Sequence, residues 1–91
     1  MYSMPHYRRS TDKNESPIIK ALQKAGWKVW KIKEPVDLLV KKNDIIGTLE
    51  VKNPDGRDRL QPSQIEHLDG GGNCAVVRSE EEALAAVHRF R

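Results

Sequence analysis

The sequence predicts an α/β domain, a mixed β-sheet flanked by helices and closed by a C-terminal helix. Three observations point there. Residues 35–52, Pro-Val-Asp-Leu-Leu-Val-Lys-Lys-Asn-Asp-Ile-Ile-Gly-Thr-Leu-Glu-Val-Lys, set two apolar runs around the turn signal Lys42-Asn43-Asp44, as a β-hairpin does. Apolar residues at helical spacing precede the hairpin (Ile18, Ile19, Leu22, Ala25) and recur at the end of the chain (Leu84, Val87, Phe90). A short run, Cys74-Ala75-Val76-Val77, reads as one more strand, giving the order α-β-β-β-α-β-α.

Residues 1–11 have no usable periodicity. With Tyr2, His6, Tyr7, Arg8 and Arg9 they read as a flexible basic arm or a frayed terminus. Asn14, or alternatively Ser16, caps a helix running to about Ala25, with Pro17 in its first turn and Gly26 ending it. Trp27 to Ile32 is a strand by its aromatic and β-branched content, and both tryptophans are expected in the core rather than as base-stacking platforms. In the hairpin, a two-residue turn at Asn43-Asp44 sets residue 42 against 45, 40 against 47 and 37 against 50. Val36 and Leu38 then meet Val51 and Leu49 in a core layer, while a bulge at Gly47 would shift the register by one. Asn53 to Arg59 is a Pro- and Gly-punctuated loop. Gln61-Pro62 opens a short helix to about Asp69, with Ile65 and Leu68 inward, and Gly70-Gly71-Gly72 ends it. Ser79 and Glu82 form a capping box before the last helix, whose Leu84, Val87 and Phe90 make one stripe.

The composition bounds the function. A chain of 91 residues makes one domain, spanning 1–91, and buries only about 60% of its unfolded surface. Cys74 is the only cysteine, so no internal disulfide forms, which fits a reducing cytoplasm. No apolar run approaches the roughly 20 residues that span a bilayer, and nothing reads as a signal peptide. Residues 1–33 carry eight Lys/Arg against two acids (+6), and residues 34–91 carry eight against eleven (−3). A basic first third suits an anionic polymer such as nucleic acid, or is a solvated surface.

The hairpin register carries the chemistry. Asp37 and Glu50 face each other with β-carbons roughly 5 Å apart, and Lys52 points to the same side. Two opposed carboxylates repel, and a divalent cation between them removes that penalty. Carboxylate oxygens suit Mg²⁺ or Mn²⁺, and the Val51 carbonyl between the two charged side chains is a third candidate ligand. Lys52 would stabilise a developing phosphorane-like charge, and Gln64, in the first turn of the second helix, would orient water or a phosphate oxygen. By position alone Gln64 is more often a cap or surface residue. Arg57 and Arg59 in the loop, Lys31 on the first strand, and Arg8 and Arg9 in the arm are candidates for holding nucleic-acid phosphates. His6, His67 and His88 have no metal spacing and are expected to play no catalytic part.

Asp37, twelve residues, then Glu50-Val51-Lys52 resembles the PD-(D/E)XK nuclease pattern. Leu49-Glu50-Val51-Lys52, a charged loop, Arg59-Leu60-Gln61-Pro62-Ser63-Gln64, then Ala75-Val76-Val77-Arg78-Ser79 resembles its small stand-alone VRR-NUC branch, which includes phage-encoded forms. The resemblance spans roughly residues 12–88. It departs where Val36 separates Pro35 from Asp37 and Glu34 stands where glycine is common. It implies a restriction-endonuclease-like αβββαβ core and metal-dependent DNA hydrolysis leaving a 5′-phosphate, often on flapped or branched DNA. It implies catalytic roles for Asp37, Glu50 and Lys52 with Gln64 supporting, in the cytoplasm of a bacterial or phage-infected cell. Some relatives add a glutamate ligand on the first helix, for which Glu15 is the candidate. A four-way junction has two strands to cut and would suit a homodimer. The alternatives are a catalytically inactive nucleic-acid-binding module of the same fold and a small interaction domain with incidental carboxylates.

Overall fold

The computed structural model describes residues 15–54 and 60–91. The expectations for Asn14, for residues 1–11 with Arg8 and Arg9, and for Arg57 and Arg59 lie outside those residues. The elements follow as α1 (Glu15–Lys24), β1 (Lys28–Lys31), β2 (Leu38–Lys42), β3 (Ile45–Val51), α2 (Pro62–Asp69), β4 (Cys74–Val77) and α3 (Glu80–His88). The four strands form one mixed sheet in the order β1-β2-β3-β4, antiparallel except for the parallel β3–β4 pair. The chain is thus α/β, with a four-stranded mixed sheet and three helices.

The hairpin turns at Asn43-Asp44, with Lys42 opposite Ile45, Val40 opposite Gly47 and Leu38 opposite Leu49. Asn43 takes the left-handed φ of 56° that the tight reversal demands, which asparagine tolerates. Strand alternation divides the sheet into two unlike faces. One carries Leu38, Val40, Leu49, Val51 and Val77, and α1 and α3 pack there through Ile18, Leu22, Ala83, Ala86, Val87 and Phe90. The other carries Leu39, Thr48 and Glu50, and α2 bonds to it through side chains.

The end of α1 ties the helix to the hairpin. Gly26, at φ 97°, lets the Trp27 amide donate to the Leu22 carbonyl and its own amide to Gln23, closing the helix and turning Trp27 into the core. Lys42 Nζ donates to the Ala25 carbonyl at 2.9 Å, a cation at a helix C-terminus, and lies 6.0 Å from the Trp27 ring centre.

Gly47 forms no bulge, since the pairing runs unbroken on either side. Its role is a close approach: a β-carbon there would collide with the Phe90 ring at Cε2 and Cδ2. Phe90 in turn packs edge-on to Trp27, with ring centres 6.4 Å apart. Asn73 fastens the end of the chain beside it, donating from Nδ2 to the Ile46 and Arg91 carbonyls and accepting the Arg91 amide.

Three expectations are corrected. Ile65 is exposed, because α2 turns Gln64, His67 and Leu68 toward a polar stretch of sheet. Leu84 is exposed, because α3 docks closely against its neighbours through the small Ala83 and Ala86. Trp30 is 46% exposed, since it lies on the α2 face of edge strand β1, which α2 does not reach. The Ser79 cap forms, its Oγ accepting the Glu82 amide at 3.0 Å, while the Glu82 carboxylate accepts from the Arg78 amide, one residue before the cap.

Replacing Gly47 with alanine is expected to cost about 1–3 kcal/mol by overpacking against Phe90. Urea unfolding measures it. A wild-type midpoint in Gly47→Ala would show that the Phe90 ring does not rest on this backbone.

Candidate active site

The site forms at the open end of the hairpin, away from the turn. The β2–β3 ladder ends at Leu38 opposite Leu49, and one step further along the same register sets Asp37 across from Glu50. The Glu34–Pro35 peptide just before is cis. Asp37 is held by backbone on both sides: its carbonyl accepts the Ile32 amide at 2.8 Å, and its Oδ2 accepts the Val51 amide at 2.8 Å. Within a strand the N–H and C=O of one residue leave on the same edge, so the Val51 carbonyl also points toward the Asp37 side.

Glu50 is the centre of the group. It is 3% exposed, on a strand paired on both sides. Its two oxygens differ sharply. Oε2 accepts from Gln64 Nε2 at 2.9 Å and lies 3.2 Å from Lys52 Nζ. Oε1 is buried and, among the described residues, accepts no hydrogen bond. An unsatisfied buried carboxylate oxygen costs folding free energy, on the order of 1–3 kcal/mol or more for a charged group. Burial pushes the Glu50 carboxyl above its ordinary range, and the neighbouring Asp37 charge pushes the same way. Lys52 opposes both by hydrogen bond and charge without overcoming them. Lys52 is itself 9% exposed, so this ion pair is shielded from bulk water.

Gln64 is oriented before it reaches Glu50. Its Oε1 accepts the Gln61 amide at 2.9 Å at the start of α2, which leaves Nε2 free to donate to Glu50. One helical turn further, His67 Nε2 and Thr48 Oγ1 share a hydrogen bond of 2.7 Å. Thr48 and Glu50 are alternate residues on one face of β3, and Gln64 and His67 are three apart on α2. Two rungs therefore bolt the short helix to the strand. His67, given no part from its sequence spacing, positions α2; the matching i, i+3 and i, i+2 spacings were the signal available.

Asp37, Glu50, Lys52 and Gln64 thus come together, with the Val51 backbone beside them. Glu15 sits on α1, which packs on the opposite face of the sheet, and its Oε1 lies 3.3 Å from Lys31 Nζ. The cation proposed for phosphate therefore neutralises an acid of its own chain. Among the described residues no three His, Cys, Asp or Glu side chains gather into a metal-holding group. The donor set for a divalent cation is two carboxylates and a carbonyl, with Glu50 Oε1 the oxygen left without a partner.

Compared with family models, with curated proteins and with solved structures, the chain matches none. Among the described residues no helix is long and apolar enough to cross a membrane.

The raised Glu50 carboxyl has a signed consequence. Folding raises its pKa above the ordinary 4.5, so the folded state binds more protons than the unfolded chain just above that pH. Its contribution to stability therefore falls as pH climbs from 4.5 through the folded value. Metal-free wild type is expected to lose stability relative to Glu50→Gln over that climb, read as thermal midpoints between pH 4 and pH 8. A gap that stays constant with pH would show that Glu50 ionises in the folded chain as it does in water.

Proposed function

We propose that this chain is a Mg²⁺- or Mn²⁺-dependent nuclease hydrolysing DNA phosphodiester bonds. In this reading it has a restriction-endonuclease-like αβββαβ core and is akin to the small VRR-NUC branch of the PD-(D/E)XK nucleases. The observation that carries the reading is the Glu50 carboxylate. Its amide donor Gln64 and its cation Lys52 both sit on Oε2, while among the described residues Oε1 is buried without a donor next to a second carboxylate. Glu50 holds one oxygen still and keeps the other for a cation.

The residues fit a hard divalent ion by the chemistry of their donors: Asp37, Glu50 Oε1 and the Val51 carbonyl, all oxygens, with substrate phosphate and water completing the shell. When bound, such an ion supplies a polarised phosphodiester and a water acidified for attack. The chain's own groups do the rest. The Val51 amide fixes Asp37 Oδ2, and Gln64 fixes Glu50 Oε2, so neither carboxylate must reorganise when a cation arrives. Lys52 Nζ, held beside Glu50, presents a positive charge to the phosphate as negative charge builds on its oxygens. Hydrolysis forms a bond from the water oxygen to phosphorus and breaks the bond to the 3′ oxygen, leaving a 5′-phosphate and a 3′-hydroxyl. Selectivity for flapped or four-way DNA, and a homodimer to cut both strands of a junction, belong to the same proposal.

Purified protein incubated with linear, flapped and four-way DNA and Mg²⁺ or Mn²⁺ is expected to cut, and to stop in EDTA. Glu50→Ala and Lys52→Ala are each expected to lose at least about 10²-fold in rate. Tight DNA binding without cutting under either metal would contradict the nuclease and favour a binding module of the same fold.

Mn²⁺ at about ten times its Kd is expected to stabilise the wild type by about 1.4 kcal/mol. For a domain of this size that is a rise of about 6–11 °C in Tm. Glu50→Gln should show little of it, and an equal rise in both proteins would place the ion elsewhere.

A further inference from the structure

Helix α2 covers only half of the face that carries Glu50. Its side-chain bonds reach Thr48 and Glu50 on β3, and Cys74 at the start of β4 lies under its C-terminal end. Among the described residues the β1–β2 half of that face stays open. There the register sets Lys28 beside Lys41 and Trp30 beside Leu39, all on the Glu50 side by strand alternation. Trp30 is 46% exposed and both lysines are exposed. Among the described residues neither lysine takes part in an ion pair. With Gly26, Lys42 and Asn43 these three residues line an open cleft of about 580 Å³.

Two costs meet on this surface. A large aromatic ring is left in water, and two like charges stand directly opposite on neighbouring strands. A partner with flat apolar rings and a regular negative charge removes both. A second copy of the chain laid face to face would bring four lysines together, so charge favours a polyanion over self-association. The surface also leads to the site. Trp30 shares a cross-strand row with Leu39 and Thr48, and Glu50 is one same-face step beyond Thr48. Two strand spacings and one such step separate the Trp30 and Glu50 α-carbons by about 12 Å.

We propose that this half-face docks an unpaired DNA strand. Trp30 stacks a base, Lys28 and Lys41 hold phosphates, and the strand is led across the sheet toward Glu50. The proposal takes its ligand from the nuclease reading and deepens it: the preferred substrates carry a single-stranded segment. Stacking and charge read no base sequence, so the docking is sequence-tolerant.

The test is binding without cutting: fluorescence anisotropy of a labelled oligothymidine and of a blunt duplex of equal length, in EDTA. Trp30→Ala is expected to weaken oligothymidine binding roughly tenfold or more, with Trp30→Phe retaining most of it and duplex binding little changed. Lys28→Ala with Lys41→Ala is expected to flatten the salt dependence of log K by about 1.4. Circular dichroism melts confirm that each variant is folded. Wild-type oligothymidine affinity in folded Trp30→Ala overturns the docking surface, whether or not the protein cuts DNA. So does a Trp30→Ala change that alters only self-association, measured by sedimentation. Lost binding in Trp30→Ala, in a protein that cuts nothing under any metal, upholds the docking surface and overturns the nuclease alone.

Discussion

A buried carboxylate with one oxygen satisfied and the other bare is the constraint on which this molecule turns. Glu50 lies on the central strand β3, nearly closed from solvent, with Lys52 and Gln64 both on Oε2. Holding it there has a cost that burial and the Asp37 charge set together, and that Lys52 only partly offsets. The surroundings are arranged around that cost. Asp37 is fastened by the Val51 amide, and Gln64 by the first turn of α2.

The sheet separates stability from chemistry by its two faces. On one, Leu38, Val40, Leu49, Val51 and Val77 pack against α1 and α3, and Gly47 lets the Phe90 ring lie directly on the backbone. On the other, α2 buries no residue fully and is joined to β3 through Glu50–Gln64 and Thr48–His67. A short helix held mainly by polar bonds is easily disturbed. Its lever is that Gln64 and Glu50 share one of those bonds, so the position of α2 and the orientation of the carboxylate are set together.

Much of this was legible in the residues. The hairpin and its register follow from two apolar runs around Asn43-Asp44, and strand alternation alone puts Asp37, Glu50 and Lys52 on one side. The helix bounds follow from Gly26, Pro62, Gly70 and Ser79, whose local chemistry admits few alternatives. What stayed hidden depends on packing between distant segments. Gly47 signals a bulge to a local reading; only the Phe90 ring, far along the chain, shows it to be a close approach. Trp30 and Leu84 are apolar and read as core, yet both are exposed among the described residues. His67 has no metal spacing, and its tie to Thr48 exists only once α2 lies across β3. Gln64 is a helix-start residue by sequence, and its amide orientation needs the Gln61 bond to be seen.

The most direct measurement is the count of bound Mn²⁺ by electron paramagnetic resonance, with wild type, Lys52→Ala and Glu50→Gln compared at equal protein and metal. If Glu50 Oε1 is kept for a cation, wild type and Lys52→Ala each remove free Mn²⁺ signal and Glu50→Gln does not. Equal binding by Glu50→Gln and wild type, or no binding by the wild type, would contradict the account.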